Sequence, residues 1–322
     1  MKKHRTQIYL PLVGIVLSIL LFLFVSACTP AVIAVNKAST GAQVFAPLSF
    51  KDTVGNEVTI SEQPERIISL APSVTEWLYA IDVGDLMVGR TEFCNYPEEA
   101  VELPTVGGFS ASSISTETII SLEPDLVIGG SIYQTEVINA LNDAGMNAFI
   151  LEPNSIDEIF DTLILLGQVT ASLENAEHVV ENMRSRIDAV QAIVETISPE
   201  EHVTVFYEVW NDPYMTATDQ TFIGELINMA GGVNIFGGLQ EEYPSISAEE
   251  IIEKDPQVIL GPSDHGDQLL VEITAGREGW QNLSAVKNKR IYIINGDIVS
   301  RATPRVVDAL EDIAHSLYPD YF

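Results

Sequence analysis

One sixteen-residue segment of this chain occurs twice. Ile114-Ser115-Thr116-Glu117-Thr118-Ile119-Ile120-Ser121-Leu122-Glu123-Pro124-Asp125-Leu126-Val127-Ile128-Gly129 aligns without a gap on the segment Ile246 to Gly261. The offset is 246 − 114 = 132, and seven of the sixteen positions are identical. Each copy places a serine to cap a helix, follows it with a short apolar helical stretch and a proline, and ends in an apolar strand. A helix-Pro-strand unit repeated in constant register predicts two similarly built lobes. At 322 residues the chain is long enough for both.

The remaining pattern extends that reading. Leu48 to Ile60 reads as two short strands turning at Val54-Gly55-Asn56. Strands are expected at 66–70, 86–89, 126–130 and 148–151, with a helix near 134–144. Ser73-Val74-Thr75-Glu76 reads as a capping box that opens a helix, and so does Ser155-Ile156-Asp157-Glu158. This βαβα order argues for a parallel sheet with helices on both faces. Ala176, Val179, Val180, Met183, Ile187, Val190 and Val194 then recur at spacings of three and four. They predict one amphipathic helix from about 172 to 197, on the order of 39 Å long. Strands return at 203–207, 258–261 and 290–294, and a helix closes the chain over 304–318. The expected division is an N-terminal lobe over 47–153, a bridging helical segment over 154–198 and a C-terminal lobe over 199–322.

Lys2, Lys3 and Arg5 precede an uncharged apolar run from Ile8 to Ala27, and Val25-Ser26-Ala27-Cys28 closes it. This order predicts an export signal over 1–27. Its last four residues resemble a bacterial lipobox, which implies cleavage before Cys28, a lipid on its sulfur, and a tether over 28–46. An uncleaved membrane anchor is the alternative. Either way the globular part stands outside the cytoplasmic membrane. The 46 acidic residues against 16 basic ones give a formal charge of −30. Such acidity excludes a nucleic-acid partner, which would need a basic face. With 46% hydrophobic residues the chain can still bury a core. Cys94, the second of two cysteines, is expected as a free thiol.

Glu65 to Ser73 with Glu76, then Phe93-Cys94-Asn95-Tyr96-Pro97, then Glu123-Pro124-Asp125-Leu126-Val127-Ile128 form a series that resembles the substrate-binding proteins of ABC importers for cobalamin, haem and iron-siderophores. The similarity covers roughly residues 48–320. It implies an α/β fold of two Rossmann-like lobes with parallel-rich sheets, joined by one long bridging helix, with ligand held between the lobes and little hinge closure. The stretch around Asn95-Tyr96-Pro97 is most similar to the vitamin B12 binders. By that resemblance Phe93, Phe109, Tyr214 and Tyr243 fall at aromatic ligand contacts, and Gly130 stands where another ring is expected. The resemblance also implies no intrinsic cofactor. The partners implied are a transported corrinoid, a two-subunit permease and its cytoplasmic ATPase.

A broad macrocycle needs flat aromatic surfaces on loops. Phe93, Tyr96, Phe109, Trp210, Tyr214 and Tyr243 all fall in expected loops near Gly or Pro, although any one ring could simply pin its own loop. Trp77 and Trp280 are expected in the core. Arg301 could meet a ligand's anionic or amide groups, or form a surface ion pair. Glu117 and Glu249 are the matched acids of the repeat. They stabilise helix N-termini, or dock to arginines of the permease as the resemblance implies. Cys94 and His265 are isolated candidates for a metal's axial ligand. The motifs of hydrolases, zinc proteases, P-loop and dinucleotide enzymes are missing from the sequence. Haem or a ferric siderophore is the alternative ligand. An exported enzyme or a sensor or scaffold lipoprotein on the same fold ranks lower.

Overall fold

The computed structural model describes residues 45–263 and 271–322. The expected signal, nearly all of the expected tether with Cys28, and His265 lie outside the described residues. In chain order the elements of the first half are β1 (Leu48–Lys51), β2 (Glu57–Ile60), β3 (Ile67–Ser69), α1 (Pro72–Ala80), β4 (Met87–Gly89), α2 (Thr116–Ser121), β5 (Leu126–Gly129), α3 (Thr135–Asp143) and β6 (Asn147–Ile150). Two helices follow, α4 (Ile156–Val169) and α5 (Leu173–Val194). The second half holds β7 (Thr204–Asn211), β8 (Tyr214–Thr216), α6 (Phe222–Met229), β9 (Val233–Asn234), α7 (Ala248–Lys254) and β10 (Val258–Pro262). It ends with α8 (Val271–Gly276), α9 (Ser284–Lys287), β11 (Ile291–Ile294), α10 (Gly296–Val299) and α11 (Val306–Leu317).

The repeat is visible as topology. The first sheet runs β4-β3-β5-β6, all parallel. In the second, β7 pairs in parallel with β9 on one edge and β10 on the other, and β10 pairs with β11. The parallel order β9-β7-β10-β11 therefore matches the first sheet strand for strand. The two copies of the repeated segment supply α2 with β5 and α7 with β10. Ser115 accepts the Thr118 amide at 3.1 Å and Ser247 that of Glu250 at 3.2 Å, so each serine caps its helix. One departure is β8, which folds back antiparallel on the far end of β7. The strand period predicted no such hairpin.

Strand alternation sorts the core into layers. Ile68, Val127 and Ile150 face outward to Ile119 and Ile138 of α2 and α3. Phe206, Ile259 and Ile291 face Trp280 and Ile251 on the outer side of the second sheet. The opposite faces of both sheets share one core. Ile67, Leu126 and Phe149 from one sheet and Val205, Val258 and Leu260 from the other join it, with Trp77 and residues of α4, α5, α6 and α11. The apolar runs of the inner strands β5 and β10 are buried on both faces, as parallel strands require.

The connection consists of α4 and the longer α5. Helix α5 has 22 residues, about 33 Å at 1.5 Å per residue. It is shorter than expected because Ser172 is its N-cap and Glu195 its C-cap. Near its start Asn175 donates to the Ile81 carbonyl at 3.1 Å in the first lobe. Farther along, Arg186 pairs with Asp308 and Glu311 of α11 in the second, both at 2.6 Å. Helix α4 lies against it, and Gly167 permits their approach: a Cβ there would sit 2.6 Å from that of Ala176. Gly167→Val should therefore cost roughly 1–3 kcal/mol through overpacking. Equilibrium urea unfolding, with the midpoint shifted and the slope unchanged, checks this.

Candidate ligand-binding cleft

Parallel strands of the first sheet end on a crevice that the second lobe also lines. The strand order of the first sheet reverses between β3 and β5, and the loops after such carboxyl ends are where open α/β sheets bind ligands. Ala71 to Ser73 follow β3, Gly130 to Tyr133 follow β5, and Glu152 follows β6. All of these line a cleft of about 900 Å³. The second lobe supplies Gln220 to Phe222, Glu242, Tyr243 and Ser300 to Ala302.

Phe93, Phe109 and Tyr243 line this cleft, as does Arg301. The rings are exposed by 52%, 36% and 38% respectively, so they have apolar area left to cover. Gln134, fully buried, ties the N-lobe loops together. Its Nε2 donates to the Leu70 and Phe109 carbonyls at 2.7 and 3.0 Å, and its Oε1 accepts the Gly130 amide at 2.9 Å. Burial pushes the Tyr243 phenol above its ordinary value, and the nearby Glu242 charge adds to that. Tyr243 therefore presents a neutral ring with a hydroxyl.

Two lining rings escaped the sequence reading. Tyr133 is 73% exposed, and Phe222 is in the other lobe's share of the lining. At Gly130, where a ring was expected, no side chain fits. A Cβ there would come within 2.4 Å of that of Ala71. The ring arrives three residues later. Glu152 holds the intervening turn by accepting from Ser131 Oγ at 3.0 Å and the Ile132 amide at 2.7 Å. Ser131 as a turn-opening cap just after a strand was the available signal.

Tyr96, Trp210 and Tyr214 do not line the cleft. Trp210 and Tyr214 are not on loops either, since they belong to the β7–β8 hairpin. Tyr214 stacks on buried Trp280 with centroids 5.4 Å apart, and the Arg277 guanidinium lies over both rings. Arg277 in turn pairs with buried Glu208. Burial pushes the Glu208 carboxyl up, and the arginine's hydrogen bonds and charge oppose this. Tyr214 is thus part of a packed cluster. Cys94 is a buried free thiol beside Thr91 Oγ1 at 3.2 Å. Among the described residues no group of three or more His, Cys, Asp and Glu is placed to hold a metal ion.

The expected capping box at Ser73 is not formed. The N-cap of α1 is Ala71, with no side-chain cap. Glu76 instead crosses to the other lobe. Only 3% exposed, it accepts from Arg305 Nε and Nη2 at 2.8 and 2.6 Å and from Arg301 Nη1 at 3.0 Å. Arg301 also donates to Asn95 Oδ1 at 2.8 Å and pairs with Asp297, while Asn95 donates to Asp297 at 2.9 Å. Arg305 lies 3.9 Å from the Tyr96 ring centroid, which accounts for that ring's position. Beside this cluster Trp77 donates its indole N–H to the Ala302 carbonyl at 2.7 Å.

Glu117 and Glu249 are exposed in the first turns of α2 and α7, the two equivalent helices. Neither is among the residues lining the cleft.

Residues 67–298 match the family model described as periplasmic binding protein. An uncharacterized ABC transporter substrate-binding lipoprotein of Bacillus subtilis, YvrC, is 32% identical over 89% of this chain and 90% of its own length. Among solved structures, the periplasmic vitamin B12 binding protein BtuF of Vibrio cholerae is 31% identical. It has a TM-score of 0.67 and covers 80% of this chain and 97% of its own. The periplasmic heme-binding protein RhuT from Roseiflexus is 25% identical. It has a TM-score of 0.70 and covers 80% and 99%.

Removing the Glu76 carboxylate takes from the Arg305 guanidinium its carboxylate partner and leaves Arg301 with Asp297 and Asn95. Glu76→Ala should cost about 3–5 kcal/mol. Urea unfolding measures it, and a loss below about 1 kcal/mol would show that the cluster does not bind the lobes together.

Proposed function

The chain belongs to the periplasmic binding protein family, and from that premise we propose that it captures a corrinoid outside the cytoplasmic membrane and delivers it to an ABC permease. The observation that carries this reading is the cleft. It brings rings of both lobes, the exposed Phe93, Phe109 and Tyr133 from one and the half-buried Phe222 with exposed Tyr243 from the other, around one volume of about 900 Å³. A space of that size and lining suits a large, flat, partly apolar ligand. The likeness to a vitamin B12 binding protein supports the corrinoid. The likeness to a heme-binding protein makes haem the second reading, with a ferric siderophore behind it.

Binding in this reading involves no covalent chemistry. The rings stack on the macrocycle, while Ser73, Asn154 and Gln220 offer hydrogen bonds at its rim. Cys28 is proposed to carry the lipid that holds the protein at the membrane, in keeping with the lipoprotein named in Bacillus subtilis. Glu117 and Glu249 are proposed to dock to the permease. Their place on equivalent helices of two like-ordered sheets suits a two-subunit partner.

Calorimetric titration with cobalamin, haem and one ferric siderophore tests the ligand. Sub-micromolar one-to-one binding of cobalamin alone is expected, and binding of haem or siderophore instead overturns the corrinoid. Tyr243→Ala combined with Phe93→Ala should weaken that binding by more than about tenfold. Unchanged affinity would place the site elsewhere. Glu117→Arg with Glu249→Arg should abolish uptake by cells and leave the titration unaltered, whereas lost affinity in a folded double variant would refute docking.

A further inference from the structure

The charge of the cleft lining is not balanced. Glu152 and Glu242 line it, one from each lobe. Arg301 is the one basic residue lining it among the described residues. That arginine is already matched, because it pairs with Glu76 and Asp297. Arg305 behind it also pairs with Glu76. Two carboxylates and two guanidiniums close that cluster at zero charge, so neither arginine offsets Glu152 or Glu242. The chain as a whole, at −30, adds a field of the same sign.

Hydrogen-bond sense points the same way. A carboxylate only accepts. Glu152 already takes up two donors of the neighbouring loop after β5, and Glu242 stands exposed at the rim beside Tyr243. The groups that suit such a rim are uncharged N–H donors, such as carboxamides, rather than ligand carboxylates or catecholates.

We infer that the cleft selects its ligand by charge: it takes metal chelates whose periphery is neutral or cationic and amide-rich, and it rejects those with anionic arms. This rests on the cleft being the ligand site proposed above. Two like charges about 8 Å apart weaken binding by a factor of roughly 2 at the permittivity of water, and roughly 30 at the effective permittivity of a protein surface. Each anionic arm should therefore cost a factor between those limits, and added salt should shrink it.

The test uses two matched pairs that differ in charge and little in shape, titrated into the full-length chain at low and high salt. One pair is cyanocobalamin and its monocarboxylic acid, in which one peripheral amide is hydrolysed. The other is haem and its dimethyl ester. The member with fewer carboxylates should bind more tightly in each pair, by roughly 2- to 30-fold for the corrinoids. The ratio should fall at high salt and in Glu242→Gln. Equal or tighter binding of the acid, or a ratio that Glu242→Gln leaves unchanged, overturns the charge rule while cobalamin binding itself still stands. A silent corrinoid pair, with the ester bound better than haem, keeps the charge rule and removes the corrinoid. Silence from all four overturns both.

Discussion

A single buried carboxylate organises the way the lobes meet. Glu76 lies on α1 of the first lobe, and both of its oxygens are occupied by arginines of the second. Burying such charges has a large desolvation cost, and a buried ion cluster of this kind contributes little net stability compared with apolar packing. Its effect is geometric. The Arg305 pair is bidentate, so it fixes direction as well as distance. Asn95, Asp297 and the Trp77–Ala302 bond extend the same seam. Arg301 and Ala302 are cleft residues, so the seam that joins the lobes also forms part of the cleft's wall.

Most of the architecture was legible because it depends on local rules. Apolar runs of four or five residues bounded by Pro, Gly and caps announce buried strands, and nearly every expected strand is present within a residue or two. The repeat announced its own topology because helix capping and strand burial recur at a fixed offset. What failed was longer in range. Ser73-Val74-Thr75-Glu76 has the spacing of a capping box, but Arg301 and Arg305, 225 and 229 residues away, take the carboxylate. Trp210 and Tyr214 flank Asp212-Pro213, which reads as a loop. The hairpin that holds them is made by pairing across β7 and β8 and by packing on Trp280.

The aromatic site shows the same limit at finer grain. Phe93, Phe109 and Tyr243 were singled out by the family resemblance, and all three line the cleft. Tyr133 carries no such mark, and the 2.4 Å approach of Ala71 shows why Gly130 is empty of a ring. A ring's absence at one residue was a statement about backbone crowding, and the turn held by Glu152 restores it nearby.

The core that runs through both lobes has a consequence for timing. Side chains of both sheets pack into one cluster, and the Glu76 seam closes another route to bending. If the cleft holds the ligand proposed above, walls already shaped before it enters would lose little to reordering on filling. The same joined core would work against emptying, so quick unloading would call for something outside the molecule to part the walls.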